Sequence, residues 1–274
     1  MIDEAVMPSR RRRPVRGRSD GHEPRGLWVV IGYSSIIVLA ELSSSFVGAV
    51  PGALLDAAFV PLILAHFVLR PDAPHRRMFP ALALVALLRT LSIAAVVPRL
   101  PEYTWYAAVG LPVLAGAFLA SRLTDEPAER MGVSVWRLKF DVVLTILGFP
   151  AGFLGYLLLR PAALLTDADP ASVLAAMIVL AIFGGFLEEV VYRGVLQAVA
   201  VDAFGSRRAG ILFTATLGAW MYWGSGSLPF MIAIWLLGLG YGVALMRGAS
   251  LWGIAASHTV LLWGMGLLWP LLLR

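Results

Sequence analysis

The chain of 274 residues is 59% hydrophobic and only 14% charged, and its mean hydropathy is +0.81. A soluble domain is about half apolar and a quarter charged, so this composition excludes an ordinary soluble domain and predicts a helical membrane protein. The apolar runs are about 20 residues long and apolar on all sides, which excludes a β-barrel. There is no cysteine, which excludes disulfides, thiolate metal sites and a cysteine nucleophile.

The N-terminal segment 1–26 carries seven arginines among proline and glycine residues and has no apolar periodicity. We expect it to be a disordered basic tail on the cytosolic side of the membrane. The formal net charge of +5 could indicate an arm for nucleic acid or anionic lipid. The position of this charge beside the first apolar run favours a topology signal, so no nucleic-acid partner is predicted.

Nine apolar runs follow, separated by charged or Pro- and Gly-containing breaks. They predict an all-α, polytopic helical membrane bundle with about eight or nine transmembrane helices. The first run is too long and too far from the N-terminus for a signal peptide, so we expect it to be retained. The runs lie at roughly 27–49, 52–69, 78–97, 105–121, 140–160, 171–200, 209–223, 228–247 and 249–272. We divide them into N-terminal transmembrane helices, 27–168, and a core that carries the site, 169–274.

The distribution of positive charge predicts the orientation of the bundle. Threading the nine runs from a cytosolic N-terminus places 17 of the 22 Lys and Arg residues on the cytosolic side and three outside. The remaining two, Arg89 and Arg193, fall within the membrane. Because cytosolic loops of membrane proteins are enriched in Lys and Arg, this bias predicts a cytosolic N-terminus and an odd number of spans.

Ionisable residues within the apolar runs are costly, at about 2.5–3.5 kcal/mol each on insertion scales. Glu41 and Arg89 lie at comparable depths in the first and third runs, which predicts an ion pair that fixes the packing of two helices. Asp56 lies near the outer end of its run, and we expect it to reach the lipid headgroups.

A third group of intramembrane charges consists of Glu188, Glu189 and Arg193. On a helix, Glu189 and Arg193 share one face, whereas Glu188 points about 100° away. The arginine can therefore neutralise Glu189 while Glu188 faces a cavity. A structural ion pair needs only one carboxylate, so the second favours a general base that acts on water, with structural pairing as the alternative.

His258 is the histidine that lies deep in a downstream run, at a depth similar to that of Glu188. A single histidine on an apolar helix is often a packing residue. The similar depth of two ionisable groups on different helices instead predicts that they share a site.

The motif Glu188-Glu189-x-x-x-Arg193-Gly194, with the later segment from Gly248 to His258, resembles the CPBP family. This family contains intramembrane proteases related to CAAX-prenyl endopeptidases and to bacteriocin-processing proteins. The resemblance covers roughly 170–270 and implies a glutamic-type endopeptidase in the cytoplasmic (inner) membrane of a bacterium. Its partners would be the lipid bilayer and a membrane-embedded or lipidated peptide or protein substrate.

The resemblance also implies roles for individual residues. Glu188 would be the base, Glu189 and Arg193 would support it, and His258 would orient water or lie beside the oxyanion. No cofactor and no metal ion are implied.

Two positions depart from the family pattern. The second family motif, Phe-x-x-x-His, begins at Phe213 and has Leu217 in place of its histidine, and the asparagine that follows the last histidine is Leu262. Thr214, Thr216 and Tyr222 are nearby polar residues. The alternative function is therefore a catalytically degenerate relative that acts as a binding, immunity or scaffold protein. A transporter is disfavoured because the sequence lacks a symmetric pair of interrupted helices.

Overall fold

The computed structural model describes residues 24–94, 102–133, 137–165 and 169–273. Within these ranges the chain is all-helical and has no strand, which confirms the predicted fold class. Residues 1–23, which make up most of the predicted tail, lie outside the described residues.

Each of the nine predicted runs coincides with one continuous helix among the described residues. The helices are α1 Pro24–Phe46, α2 Ala49–Leu69, α3 Met78–Ala94, α4 Glu102–Thr124, α5 Leu138–Leu159, α6 Pro170–Phe204, α7 Arg207–Trp220, α8 Leu228–Met246 and α9 Leu251–Leu272.

Seven of these helices are long and apolar enough to cross a membrane. The two exceptions are α3, which is apolar but shorter, and α7, which has only 14 residues. The protein is therefore an integral membrane protein built as a polytopic helical bundle. The short α7 is positioned between α6 and α8 by a left-handed turn at Gly205, which has φ 62°, a conformation that glycine adopts without strain.

Three segments that the charge pattern assigns to one side of the membrane meet at one end of the bundle. Arg77 forms ion pairs with Glu126 and with Asp202, and Arg130 Nη2 lies 2.7 Å from Asp202 Oδ1. The pKa of the Glu126 carboxyl is raised by burial, which outweighs the two arginines beside it. These contacts agree with the alternating path of the chain through the bundle.

The most enclosed span is α9, which carries His258. In its most apolar window, 67% of the residues are buried inside the protein, against 17% for α5. Glycines on α5 allow the α9 backbone to approach closely, since a Cβ added at Gly148 would lie 3.2 Å from Ser257 Cα and one at Gly152 would lie 3.1 Å from Leu261 Cα.

The first turn of α9 is held by a buried hydrogen-bond network with α5. Ser250 caps the helix by accepting the Gly253 N–H at 2.9 Å. Its own hydroxyl donates to Asp141 Oδ2 at 2.8 Å, and its backbone N–H donates to Asp141 Oδ1 at 3.1 Å. This network fixes the start of the helix that presents His258, two turns further on.

The charged residues of the N-terminal helices confirm one expectation and contradict another. Glu41 on α1 is fully buried and forms an ion pair with Arg89 on α3, which confirms the predicted pair. The expectation for Asp56 was wrong, because Asp56 lies on the buried face of α2 and is fully enclosed. Its two carboxyl oxygens have no hydrogen-bond partner among the described residues.

Candidate active site

The acidic pair lies at an irregular point of α6. The single α-helical turn Leu187–Glu189 is flanked by two π-helical stretches, Leu180–Phe186 and Val190–Leu196. Such wide turns are rare and recur at functional sites. Gly184 and Gly185 lie in the first stretch, and a Cβ added at Gly185 would lie 2.8 Å from Thr259 N, so the glycine allows α9 to approach closely.

Glu189 connects the arginine and the histidine. Its Oε2 lies 3.2 Å from Arg193 Nε, and its Oε1 lies 2.7 Å from His258 Nδ1. The side chain is almost completely enclosed, with 1% exposed. The predicted pairing of Glu189 with Arg193 is therefore present, and the carboxylate also fixes the orientation of the imidazole ring, a contact that the sequence did not predict.

Glu188 lies on the other side of the imidazole ring. Its Oε2 is 3.9 Å from His258 Nε2 and accepts a hydrogen bond from the Tyr222 hydroxyl at 3.2 Å. Its side chain is 21% exposed, and no arginine forms an ion pair with it among the described residues. The structure thus brings Glu188 and His258 together, and it gives the two adjacent carboxylates different partners.

A cavity of about 30 Å³ adjoins these groups. Its volume is sufficient for one or two water molecules, and a buried water needs several polar partners. The polar side chains in its wall are Glu188, Glu189, Tyr192, Arg193, Thr214, Tyr222, Tyr241 and His258. A carboxylate that is not paired with a cation, placed beside an imidazole and a water-sized space, can remove a proton from water.

The two leucines at the divergent family positions do not line this cavity. Leu217 is buried in the main apolar core of the bundle, and Leu262 packs against α6 where a Cβ on Gly184 would lie 2.5 Å from its Cδ1. The cavity wall on this side comes instead from the face of α7 that contains Thr214 and Gly218, and from Tyr222 just beyond the helix.

Tyr222 and Tyr241 are the site residues whose importance the sequence did not reveal. Tyr222 was only one of three nearby polar residues, although its i, i+4, i+8 spacing from Thr214 and Gly218 indicates a shared face. The Tyr241 hydroxyl donates to Ser257 Oγ at 2.9 Å, and its ring centroid lies 5.6 Å from the Arg193 guanidinium carbon. Tyr241 thus encloses the arginine from α8.

Gly238 makes room for this arginine. A Cβ added there would lie 3.2 Å from Arg193 Nη2, so the glycine allows the guanidinium to fit against α8. Within the described ranges, no cluster of three or more His, Cys, Asp and Glu side chains has the arrangement of a metal site.

The fold and the site together define a helical integral membrane protein with an acid–histidine site inside the bundle. Residues 170–263 match a protein family described as Type II CAAX prenyl endopeptidase Rce1-like. This match confirms the predicted CPBP and CAAX-protease-like family resemblance, and the matched region contains Glu188, Glu189, Arg193 and His258. Comparison with curated proteins and with solved structures gave no match.

Proposed function

We propose that this protein is an intramembrane endopeptidase of glutamic type, which hydrolyses a peptide bond of a membrane-embedded or lipidated substrate. The observation that carries this proposal is the position of Glu188 and His258 together in the wall of a water-sized polar cavity, inside the region that matches a protease family.

In the proposed reaction, Glu188 removes a proton from a water molecule as the water oxygen attacks the carbonyl carbon of the scissile bond. In this reaction the tautomer of His258 carries its proton on Nδ1, because the Glu189 carboxylate 2.7 Å away accepts it, and Nε2 is the ring nitrogen that orients the water. The tetrahedral intermediate then collapses, the C–N bond breaks, and Glu188 returns the proton to the leaving nitrogen. The Tyr222 hydroxyl donates to Glu188 Oε2 and so holds the base at the cavity wall.

The proposal includes an orientation and a division of the chain. The N-terminus faces the cytosol of a bacterial cell, as the positive-charge bias indicates, and cleavage takes place near the cytosolic face of the inner membrane. Residues 169–274 form the core that carries the site, and residues 27–168 form the helices that support it.

Purified protein in bicelles tests the proposal. Two fluorogenic substrates would be supplied, a farnesylated CAAX peptide and a single transmembrane helix. We expect cleavage of one of them by wild type, and a fall of at least ~100-fold in Glu188→Gln, because a general base contributes roughly 10²–10⁴ in rate. Glu129→Gln is the matched control, since Glu129 is an exposed loop carboxylate far from the site in sequence. Equal cleavage by wild type and Glu188→Gln would refute the catalytic assignment.

A second function is favoured by the apolar packing of Leu217 and Leu262. A relative that lacks two polar family groups would bind a membrane segment without cutting it. In that case wild type and Glu188→Gln capture the same transmembrane peptide with equal affinity, and neither releases a product.

A further inference from the structure

The turn that follows α7 places Tyr222 beside Glu188. Tyr222 directly precedes a short 3₁₀ turn, Trp223–Ser225, which leads towards α8. Tyr222 is joined to both elements, since its N–H donates to Ala219 O at the end of α7 at 3.0 Å and its carbonyl accepts the Ser225 N–H of the turn at 3.0 Å. A contact that holds the turn therefore also acts on the position of the Tyr222 hydroxyl beside Glu188.

One contact that holds the turn comes from the N-terminal helices. Glu41 Oε1 accepts the backbone N–H of Gly224 at 3.3 Å, and the same oxygen lies 2.7 Å from Arg89 Nη2. Glu41 Oε2 accepts from Arg89 Nε. The buried ion pair thus has a third partner, a backbone amide two residues after Tyr222.

The surroundings of Gly224 show how closely the turn fits against the pair. A Cβ added at Gly224 would lie 3.2 Å from Glu41 Oε1 and 3.8 Å from Arg89 Nη2, so even a methyl group would displace the carboxylate or the turn. Beside it, the Trp223 ring stacks on Trp220 with 5.0 Å between centroids and lies 6.5 Å from the Phe46 ring of α1. The turn therefore contacts α1 through Trp223 and Gly224, although none of its residues is buried.

We propose that Glu41 and Arg89 are positioning residues for the site, because the pair fixes the turn at Gly224 and so holds the Tyr222 hydroxyl against Glu188. The importance of this contact for catalysis rests on the proposed function, but the contact itself does not. The helices outside the family-matched region thereby support the geometry of the residues inside it.

A role limited to packing makes a different prediction. If the pair only joined α1 to α3, any arrangement that preserved the opposite charges would be sufficient. The double variant Glu41→Arg with Arg89→Glu preserves the charges but replaces the acceptor of the Gly224 N–H by a donor. Positioning and packing therefore predict different results for this variant.

The test uses the full chain in bicelles, with 3-fluorotyrosine incorporated at position 222 and read by ¹⁹F NMR. Glu188→Gln supplies the reference signal for a changed Tyr222 contact. We expect the signals of Glu41→Gln and of the charge-swapped double variant to move from the wild-type position towards that reference. Gly224→Ala, which leaves both charges in place, should move the signal too and covers the case in which the charge variants fail to fold.

Tyr33→Phe is the matched control, because it removes a hydrogen bond from α1 to His66 on α2 without touching the turn. Its ¹⁹F signal should remain at the wild-type position even if its stability falls. On a cleaved substrate, Glu41→Gln should lower kcat roughly 10-fold with KM unchanged, which corresponds to one hydrogen bond to a charged group. Wild-type ¹⁹F signals in Glu41→Gln, Gly224→Ala and the double variant would overturn the positioning role, whether or not the protein proves to be a protease.

Discussion

Glu41 and Glu189 are both fully buried carboxylates that pair with an arginine inside the membrane, yet their surroundings differ in one respect. Around Glu41, one carboxylate meets one guanidinium, and the enclosed carboxyl of Asp56 on the neighbouring helix has no hydrogen-bond partner among the described residues. Around Glu189, the pair with Arg193 has a second carboxylate and an imidazole beside it, and a polar cavity adjoins them. The difference is that the additional acid beside Glu189 faces an imidazole and a polar cavity, which is the arrangement that the proposed chemistry requires.

The largest effect that tests this comparison is on stability. Glu189→Gln leaves the buried Arg193 without its counter-charge, and breaking a buried ion pair costs about 3–5 kcal/mol. Glu188→Gln should leave the free energy of unfolding almost unchanged, because Glu188 has no arginine partner among the described residues. Steric trapping in bicelles measures both values.

The control for this comparison is Glu41→Gln, which should lose stability to a similar extent as Glu189→Gln. If Glu188→Gln were as destabilising as Glu189→Gln, then the two adjacent carboxylates would share one structural role. The assignment of a structural role to Glu189 alone would then be wrong.

The second effect concerns the divergent position on α7. Leu217→His restores the histidine that the family motif contains, but Leu217 faces the apolar core rather than the cavity. We expect no gain in cleavage and a loss of ~1–3 kcal/mol in stability, because the buried imidazole would lack a partner. Peptide cleavage and thermal unfolding in detergent check the two expectations.

Leu217→Met is the matched control and should cost less than about 1.5 kcal/mol, since it preserves volume and polarity. A substantial increase in cleavage by Leu217→His, with unchanged stability, would show that position 217 reaches the reacting groups and that the cavity wall has been assigned incorrectly.

The third effect is specific to the site. Tyr222→Phe removes the hydroxyl that donates to Glu188 and should reduce cleavage roughly 10-fold, the value of one hydrogen bond to a charged group. Tyr241→Phe is the matched control, because its hydroxyl donates to Ser257 rather than to an acid. Steady-state kinetics compares the two variants. If both rates were lowered equally, general packing around the cavity, and not the contact with Glu188, would determine the rate.

Much of the fold could be predicted because the membrane imposes long apolar helices, and charged, proline or glycine residues mark their ends. The nine runs, the pairing of Glu41 with Arg89 and the pairing of Glu189 with Arg193 all follow from length, depth and helical spacing. The position of Asp56 could not be predicted in this way, because depth along a helix does not show which face is turned inward.

The limits of the sequence are clearest at the site. Spacing placed Arg193 beside Glu189, but the contact of His258 with Glu189 depends on how two helices are rotated against each other. The π-helical turns of α6 change the faces on which its side chains lie, and periodicity based on 3.6 residues per turn does not predict them. The family motif likewise directed attention to position 217, whereas packing brings Tyr222 to the acid.

The smallest effect concerns how the histidine helix begins. Ser250→Ala removes the cap of α9 together with the donor to Asp141 and should cost about 1–2 kcal/mol, because the buried carboxylate loses a partner as well. Ser206→Ala is the matched control, since Ser206 also caps a helix, α7, but at an exposed position where ~0.5–1 kcal/mol is expected. Thermal unfolding in detergent ranks the two variants. If Ser206→Ala were the more damaging, the network with Asp141 would contribute nothing to fixing α9, and the position of His258 would have to depend on the glycine contacts with α5 and α6 alone.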